Sequence, residues 1–600
     1  MNKLSGNEIR KTWINFFKSK QHEIIPSASL VPSKEDKSLL WVNAGVTPLK
    51  KYFDGSEIPP AKRLTNVQKC IRTNDIENVG DERHLTFFEM LGNFSIGDYF
   101  KKEVIEFAFE ILTSEKYFGI EKNKLYMTYN PMDLEAKKYW IEVGVEESHL
   151  IPLEGNYWEI GEGPCGPNTE VFFDRGEEFD PEHIGIKLLA DDIENSRYLE
   201  LWGIVFSQYQ SEAGKKRSEY KELPNKNIDT GAGLERLAIV LQGVKSNFET
   251  DLFWPIIEAI QNLCGKKYES NMPAFRIIAD HIRTITFSLN DGAEFSNEGR
   301  GYVVRRLLRR ALNYGRELNL NEPFMHKLVD IVFDNYSSFY LLQNLEKIKR
   351  NIFEEEERFI YTLKEGRIRL EEFLKKGNNL SGEDAFKLYD TYGFPLELTK
   401  EIVSKNNGKV DEEVFNKCME EAKELARSSR KNIESFGKQN PELIAFNTPS
   451  SFLYETYKIN SKVIAIFEDG KKVDSSSKEA HVIFEETPFY CLSGGQISDK
   501  GYVYSREYKG EVTSLYKSPN KQNVHVIKPL FGTIKVGDEI TLEIDSSFRN
   551  AVKRNHSATH LLDETLNRVL KENIEQKGSS VTNEELHFDF NFSRKLTEEE

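Results

Sequence analysis

Cysteines and long apolar runs are both scarce in this 600-residue sequence. No stretch approaches the ~20 apolar residues that a membrane span needs, and charges interrupt every apolar run near the N-terminus, so we expect no signal peptide. The cysteines form no CxxC pair, which argues against a disulfide framework and a compact thiolate metal site. These absences favour a reducing, cytoplasmic compartment. The five cysteines are Cys70, Cys165, Cys264, Cys418 and Cys491.

Basic residues are outnumbered by acidic ones, 81 against 97, which gives a formal net charge of −16. Such a chain should not bind nucleic acid over its whole surface, although a local basic segment still can. Residues 300–316, RGYVVRRLLRRALNYGR, carry six arginines and no acid. Their apolar residues recur at helical spacing, which predicts an amphipathic helix with arginines along its flanks. Without an acidic partner these arginines should repel one another unless an anion arrives, and guanidinium groups suit phosphate.

Changes of pattern along the chain predict an α+β protein of four domains. Residues 1–245 mix short helices with β-rich runs, and residues 246–440 are mainly helical. Residues 441–550 show short strands and turns, typical of a small β-barrel or a sandwich, of which we favour the barrel. Residues 551–600 return to helix. The charged segment 344–374 has helical spacing, and a packed bundle helix is favoured over a coiled-coil arm.

Three segments of the first domain combine glycines with charged residues. Residues 68–100 predict a strand, a polar loop and a second strand, while residues 156–174 predict a Gly/Pro-rich loop that runs into a strand. Residues 227–244 predict a strand, a glycine turn and a helix. An enzyme that handles a nucleoside triphosphate without a GK[ST] or GxGxxG loop needs fixed arginines, and a carboxylate beside them could capture an ammonium group. The candidates are Arg72, Arg83, Arg236 and Asp229.

Longer segments carry a resemblance to one family. RHLTFFEMLGNFSIGDYF and DTGAGLER are similar to the second and third motifs of class II aminoacyl-tRNA synthetases, and of the alanyl-tRNA synthetase family among them. GPCGPNTE, IADHIR, SNEGRGYVVRRLLRRA and LYDTYGFPLELT are similar to further segments in family order. The resemblance covers essentially all 600 residues, in a C-terminally short form. It implies a catalytic antiparallel sheet flanked by helices, a helical tRNA-recognition domain, a β-barrel and an incomplete editing-type α/β domain.

The resemblance also implies a reaction: ATP-dependent activation of L-alanine to alanyl-adenylate, assisted by Mg²⁺, and transfer of the alanine to the 3′ end of tRNA(Ala). Arg72 and Arg236 are the implied catalytic residues, with Arg72 at the α-phosphate and Arg236 at the outer phosphates. The implied ATP-binding set is completed by Arg83 at the outer phosphates, by Phe87, which with Arg236 encloses the adenine ring, and by Asp75. The implied alanine-binding residues are Trp158, Asp229, which pairs with the ammonium group, and Gly231.

For the tRNA, the resemblance implies that the basic helix lies against the acceptor-stem backbone. Asn297 and Asp390 then read a G·U pair from the accessible minor groove of A-form RNA. The arginines would position the acceptor stem on the protein, and Asn297 and Asp390 would provide the specificity for the base pair. The implied tRNA-binding arginines are Arg305, Arg306, Arg309 and Arg310.

Some positions depart from the family pattern. The second-motif loop is shorter than in many members, and Gly203 stands where many have asparagine, which puts one hydrogen bond of the alanine pocket in doubt. His556 and His560, at i and i+4 in NHSATHLL, resemble half of the zinc site of an editing domain. Because the complementary ligands are missing from the sequence, we expect zinc binding to be weak or absent and editing to be absent or incomplete. We also expect a monomer, since the oligomerisation region of larger relatives is missing.

Three other functions are weighed against this one. A non-catalytic RNA-binding paralogue would be expected to lose Arg72, Arg236 or Asp229, and all three are present. A free-standing editing hydrolase would need a whole metal site and no ATP site. An amino-acid ligase acting on a carrier protein would not need the basic helix.

Overall fold

The computed structural model describes residues 1–32, 39–159, 163–375, 377–429, 441–518, 520–571, 574–592 and 596–600. Residues 160–162 of the predicted Gly/Pro-rich loop therefore lie outside the described residues. The chain divides into two compact units, one of Met1–Leu380 with Asp384–Val410 and one of Ser381–Glu383 with Asp411–Glu600. The boundaries of the four predicted domains stay predictions. None of the described helices combines the length and apolarity that crossing a bilayer would require.

A nine-stranded, mostly antiparallel sheet organises the first unit. Its strands are β1 Glu23–Ile24, β2 Arg63–Ile71, β3 Phe87–Ile96, β4 Leu125–Tyr129, β5 Leu150–Pro152, β6 Tyr157–Trp158, β7 Gly163–Asp174, β8 Tyr198–Ser211 and β9 Lys221–Gly233. They lie in the order β1-β2-β3-β9-β8-β7-β4-β5, and β6 pairs with β7. The strand–loop–strand predicted for residues 68–100 is β2 and β3. Sheet and helices together confirm the predicted α+β fold, with a mostly antiparallel sheet flanked by helices.

Helices cover one face of this sheet. Helix α1 begins with a capping box, in which Ser5 and Glu8 each bond the other's backbone, and its Trp13 packs on Trp202 of β8 at 4.6 Å. The helices that begin before residue 400 are α1 Gly6–Ser19, α2 Lys50–Phe53, α3 Lys101–Thr113, α4 Leu134–Glu142, α5 Lys187–Ala190, α6 Leu234–Gln242, α7 Trp254–Cys264, α8 Met272–Asn290, α9 Gly299–Glu317, α10 Met325–Tyr336, α11 Leu345–Leu374, α12 Gly382–Tyr392 and α13 Leu396–Lys405.

The basic segment forms α9, as its spacing predicts. Val304, Leu307 and Leu308 are fully buried, so the apolar face packs inward. The charged segment 344–374 forms α11, which packs on α9 and α10 through buried residues such as Phe359 and Leu363. It is a packed helix, not a projecting arm.

A closed six-stranded barrel lies in the second unit, and it confirms the barrel prediction. The ring runs β11-β14-β18-β17-β16-β20 and closes by pairing of β20 with β11, which leaves no free edge among these strands. The elements of the unit are α14 Glu412–Ser429, α15 Pro441–Ala445, β10 Ser451–Phe452, β11 Lys458–Glu468, β12 Lys471–Val473, β13 Ser475–Ser476, β14 Ala480–Phe484, β15 Glu486–Thr487, β16 Gly501–Tyr504, β17 Tyr508–Lys517, β18 Asn523–Gly532, β19 Ile534–Lys535, β20 Glu539–Ile544, α16 Ser546–Leu570, β21 Gln576–Val581 and β22 Leu586–Phe590.

Candidate active site

Two paired glycines and two carboxyl residues share one face at the centre of the large sheet, the face away from α1, and we call this part of the sheet the recess. Gly231 of β9 pairs with Gly203 of β8, which pairs with Glu170 of β7. A Cβ at Gly231 would lie 2.6 Å from Sδ of Met90, so any larger residue here would require the Met90 side chain to move. A Cβ at Gly203 would meet only Oε1 of Glu200, at 3.8 Å. The prediction of a glycine turn here is wrong: β9 continues to Gly233, and α6 begins at the next residue.

Asp229 lies on the same face of β9, opposite Val205 of β8. Burial alone raises the pKa of this carboxyl group to about 7. Within the described part of the chain, no hydrogen bond or ion pair reaches its carboxylate. An unpaired carboxylate in a small recess is suited to a compact cation such as an ammonium group.

Glu170 is a second carboxyl group at this recess, and sequence reasoning missed it. Burial, and then the charge of Glu200, raise the pKa of Glu170 to about 7, while the Asn168 amide donates a hydrogen bond to it at 3.1 Å. Asn168 and Glu170 are two residues apart on a predicted strand, along which successive side chains alternate between the two faces. That alternation was the available signal that both side chains share one face.

Arg72 follows the last residue of β2 and is exposed. Its guanidinium group lies over the ring of Phe88 at 4.8 Å. Phe87, which was predicted to enclose the adenine ring, does not face the recess. Phe87 is fully buried on the opposite face of β3, stacked on Phe287 at 4.5 Å with Arg283 over its ring at 4.7 Å. Neighbouring residues of a strand face opposite sides, so Phe88 has the ring on the recess side.

Arg83 and Arg236 line one cavity of about 620 Å³. The Arg236 guanidinium donates to the Glu200 carboxylate at 2.6 Å and to its backbone carbonyl at 3.0 Å. Arg83 pairs with Glu194 and donates to the Asn195 carbonyl at 2.9 Å. Both arginine side chains keep about a third of their surface exposed, 37% and 31%. An anionic ligand in this cavity could therefore reach both.

Two other predicted site residues lie nearby in the fold. Trp158 of β6 pairs with Gly166 of β7 and is half-buried. Asp75 lies in the β2–β3 loop, which we define as residues 72–86, and it is half-buried but does not line the cavity of Arg83 and Arg236. The structure therefore brings Arg83 and Arg236 to one cavity, while Arg72 lies at the end of β2 and Asp229 on β9, and neither of these two lines that cavity.

A buried ion network, unforeseen from the sequence, supports the recess from behind. The Arg10 guanidinium donates to Glu89 at 2.9 Å, and Arg283 pairs with Glu235. The backbone N–H of Glu89 donates to the Glu235 carboxylate at 3.1 Å. Glu89 lies between Phe88 and Met90, and Glu235 directly precedes Arg236. The network thus fixes the backbone that presents the site residues.

The arginines of α9 have acidic partners, contrary to the expectation that they repel one another. Arg305 pairs with Glu355 of α11 at 2.6 Å, and Arg309 lies 3.9 Å from the same carboxylate. Arg306 pairs with Glu77 of the β2–β3 loop. These acids are far away in sequence, and packing supplies them.

Other predicted RNA and metal residues are accessible. Asn297 and Asp390 are exposed, and Asn297 accepts a hydrogen bond from Arg305. In the second unit His556 and His560 lie on one face of α16 with ring centroids 5.2 Å apart, and Nδ1 of His556 bonds the Gln496 side chain at 2.5 Å. Among the described residues, no group of three or more His, Cys, Asp or Glu side chains could hold a metal ion. The half-site prediction stays a prediction.

Comparison with known proteins adds to this geometry. A family model described as tRNA synthetases class II (A) matches residues 8–548. An alanine–tRNA ligase of Acholeplasma laidlawii is 51% identical over 601 residues, which are 100% of this chain and 68% of that protein. One of Streptococcus agalactiae serotype V is 50% identical over 616 residues, 100% of this chain and 70% of that protein. Among solved structures, apo histidyl-tRNA synthetase of S. aureus is similar at 12% identity with a TM-score of 0.26, covering 40% of this chain and 68% of that one.

Proposed function

The chain belongs to the alanyl-tRNA synthetase family of class II, so it activates alanine with ATP and charges tRNA, and we propose how its residues divide this work. The observation that carries the proposal is that Arg83 and Arg236 line one cavity together with Glu200, whose carboxylate also reaches Gly203 of the recess. Two fixed guanidinium groups next to an unpaired carboxylate suit a triphosphate and an amino acid held side by side.

In the activation step, an alanine carboxylate oxygen bonds to the α-phosphorus while the bond from that phosphorus to the bridging oxygen breaks, and pyrophosphate leaves. Arg72 stabilises the charge on the α-phosphate, and Arg83 and Arg236 hold the outer phosphates, exchanging Glu194 and Glu200 for phosphate oxygens. No protein nucleophile is required, because positioning and charge stabilisation supply the catalysis. In the second step a terminal ribose hydroxyl of tRNA attacks the alanyl carbonyl, and AMP leaves.

The adenine ring lies between Phe88 and Arg236 in this proposal. Phe88 takes the role that the sequence comparison gave to Phe87, because its ring is on the recess side of β3. Aromatic and guanidinium planes both stack on a nucleobase. Asp75 contributes a polar group near the beginning of the β2–β3 loop, three residues after Arg72.

Alanine occupies the recess, with its ammonium group on Asp229. Met90, which lies against Gly231, and Trp158 limit the size of the pocket. Gly203 has no side chain, so this position provides no side-chain hydrogen bond that could distinguish alanine from serine or glycine. A small pocket distinguishes alanine from serine or glycine by only ~1–3 kcal/mol, so serine should be a competing substrate.

Glu170 and Glu200 fit the Mg²⁺ that class II synthetases use with ATP. Mg²⁺ is commonly held by one or two carboxylates together with substrate phosphates. The charge of Glu200 helps to raise the pKa of Glu170, which marks a repulsion that a divalent cation would relieve. Bound Mg²⁺ would neutralise phosphate charge, while the two glutamates hold it beside the arginines.

The tRNA acceptor stem lies along α9 in our proposal. The arginines of α9 bind its phosphates, and one of them, Arg305, donates a hydrogen bond to the exposed Asn297. Asn297 and Asp390 read the G·U pair, because small polar side chains can reach the minor groove of A-form RNA. The four arginines are Arg305, Arg306, Arg309 and Arg310.

For the second unit we propose that editing is absent or incomplete in this chain and that zinc binds weakly if at all. Two histidines at i and i+4 supply half of a tetrahedral site, and further ligands are needed to close it. Two results together would overturn this proposal: one equivalent of zinc per chain by atomic absorption, and hydrolysis of seryl-tRNA by the same chain.

Two assays on the full chain test the proposed division of work. Asp390→Ala should leave alanine-dependent ATP–pyrophosphate exchange unchanged but impair aminoacylation, and wild type should discriminate between tRNA(Ala) with G·U and the same tRNA with G·C. Arg83→Ala should impair both reactions. Equal loss of the two activities in Asp390→Ala would contradict the assignment of Asp390 to the tRNA.

A further inference from the structure

Helix α9 contacts the β2–β3 loop as well as its helical neighbours. The Arg306 guanidinium pairs with the carboxylate of Glu77, in the middle of the loop. Nη2 of Arg310 donates to the backbone carbonyl of Val79 at 3.2 Å and lies 3.4 Å from that of Glu77. The same loop begins at Arg72 and contains Arg83, two of the residues proposed to bind ATP.

Arg310 is also connected to the end of this loop through buried groups of α8. Its Nη1 lies 3.2 Å from Nε2 of His281, and Nδ1 of His281 lies 2.9 Å from the Asp280 carboxylate. The other oxygen of Asp280 accepts the backbone N–H of Thr86, the last residue of the loop, at 2.9 Å. His281, Asp280 and Thr86 are all fully buried.

In the series of hydrogen bonds from Arg310 through His281 and Asp280 to Thr86, each donor faces an acceptor. A guanidinium group can only donate, so Nε2 of His281 must accept, and the proton of a neutral imidazole then lies on Nδ1, facing Asp280. Burial lowers the pKa of His281, which favours this neutral form. Arg310 therefore holds the loop by a direct bond at Val79 and by a buried relay at Thr86.

Other contacts also hold this loop, and they limit the expected effect. Nη1 of Arg276 on α8 donates to the Gly80 carbonyl at 3.3 Å, and the Asn247 amide donates to the Arg83 carbonyl at 2.9 Å. Loss of Arg310 should therefore shift the loop without unfolding it.

We propose that Arg306 and Arg310 are positioning residues for alanine activation, in addition to any contact with tRNA, because they hold the β2–β3 loop where its arginines meet ATP. This inference rests on the proposed role of the loop in ATP binding. It distinguishes two flanks of α9: Arg306 and Arg310 contact the loop, whereas Arg305 and Arg309 contact Glu355.

The test is alanine-dependent ATP–pyrophosphate exchange by the full chain in the absence of tRNA. Arg310→Ala and Arg306→Ala should each raise the KM for ATP about tenfold, the loss expected for a charge-assisted hydrogen bond, with little change in the KM for alanine. Arg316→Ala removes an arginine of the same helix, whose charged neighbours are Arg367 and Glu371, and it should leave exchange unchanged. Melting temperatures of all variants check folding.

A double-mutant cycle keeps the proposal testable even if Arg310→Ala does not fold. Arg306→Ala and Glu77→Gln should raise the KM for ATP by similar factors, and the double variant by no more than either one, because both changes break the same contact. Arg310→Lys should rescue only part of the loss, since an ammonium group cannot reproduce a planar guanidinium fork that reaches His281 and Val79 together.

The outcomes separate this inference from the proposed function. If Arg306→Ala and Arg310→Ala impair aminoacylation alone while Arg83→Ala still raises the KM for ATP, the positioning role is refuted and the ATP-binding role of the loop stands. If Arg83→Ala has no effect on exchange either, both are refuted. If the effects of Arg306→Ala and Glu77→Gln on the KM for ATP add up in the double variant, the Arg306–Glu77 contact is not the cause of the raised KM.

Discussion

The ionisation of Asp229 should govern the affinity for alanine between pH 6 and pH 8. Its pKa of about 7 means that roughly a tenth of the carboxyl groups are ionised at pH 6 and roughly nine tenths at pH 8. The substrate ammonium stays protonated over this range and binds the ionised form. The apparent KM for alanine should therefore fall about tenfold from pH 6 to pH 8 and become constant above that range.

The assay is initial-rate ATP–pyrophosphate exchange at saturating ATP, with alanine varied at each pH. Asp229→Asn should raise the KM for alanine by roughly 10–150-fold, the loss of a ~1.5–3 kcal/mol charged contact, and should abolish its pH dependence. Glu170→Gln is the matched control, because burial also raises the pKa of Glu170 to about 7. It should retain the slope for alanine.

The same pKa has a consequence for the stability of the unliganded protein. Folding raises the pKa of Asp229, so the folded protein favours the neutral carboxyl group. This stabilisation of the folded state is complete below the unfolded pKa of ~3.9, and it is lost as the pH rises through about 7. Asp229→Asn should therefore melt at a higher temperature than wild type at pH 8, with a smaller difference at pH 4. A flat KM for alanine in wild type, or an unchanged slope in Asp229→Asn, would refute the assignment.

Three further predictions concern the surroundings of the recess. Phe88→Leu should raise the KM for ATP up to about tenfold at an unchanged melting temperature, since an aromatic contact contributes ~0.5–1.5 kcal/mol. Phe87→Leu should mainly lower the melting temperature. The reverse result would contradict the assignment of Phe88 to the recess side and Phe87 to the buried side of β3. Gly231→Ala should raise the KM for alanine, because its Cβ would lie 2.6 Å from Sδ of Met90 and would displace that side chain, and adding Met90→Ala should restore part of the loss; an unchanged KM would contradict this. Glu89→Gln should cost ~3–5 kcal/mol of unfolding free energy in urea titration, because it leaves a buried arginine unpaired; a loss below 1 kcal/mol would contradict this.

Local pattern was sufficient for many elements of this fold. Apolar residues at helical spacing predicted the buried face of α9, strand-like runs around a polar middle predicted β2 and β3, and short strand-like runs with turns predicted β11, β14, β18 and β20. These features depend on residues that are adjacent or one turn apart, so the sequence displays them directly. Neighbouring strands could not be inferred in this way, and the glycines of 227–244 were consequently assigned to a turn instead of to β9.

The choice between Phe87 and Phe88 shows where such reasoning stops. Alternation indicates that the two rings face opposite sides, but it does not say which side is the core. Glu89 shares the side of Phe87, and a charged residue would ordinarily mark the solvent side. Here Arg10 and Tyr340 satisfy its carboxylate in the interior, so the polar residue lies on the buried face.

The sequence by itself determined the family, the chemical types of the site residues and the order of the elements, because long motifs survive as contiguous text. Only the tertiary structure decided which charges meet. The arginines of α9 have no acid within their own segment, yet Glu77 and Glu355 reach them from distant parts of the chain. Glu170 joins Gly203 and Gly231 in the same way, across strands. Electrostatic pairing depends on separation in space, and packing sets that separation.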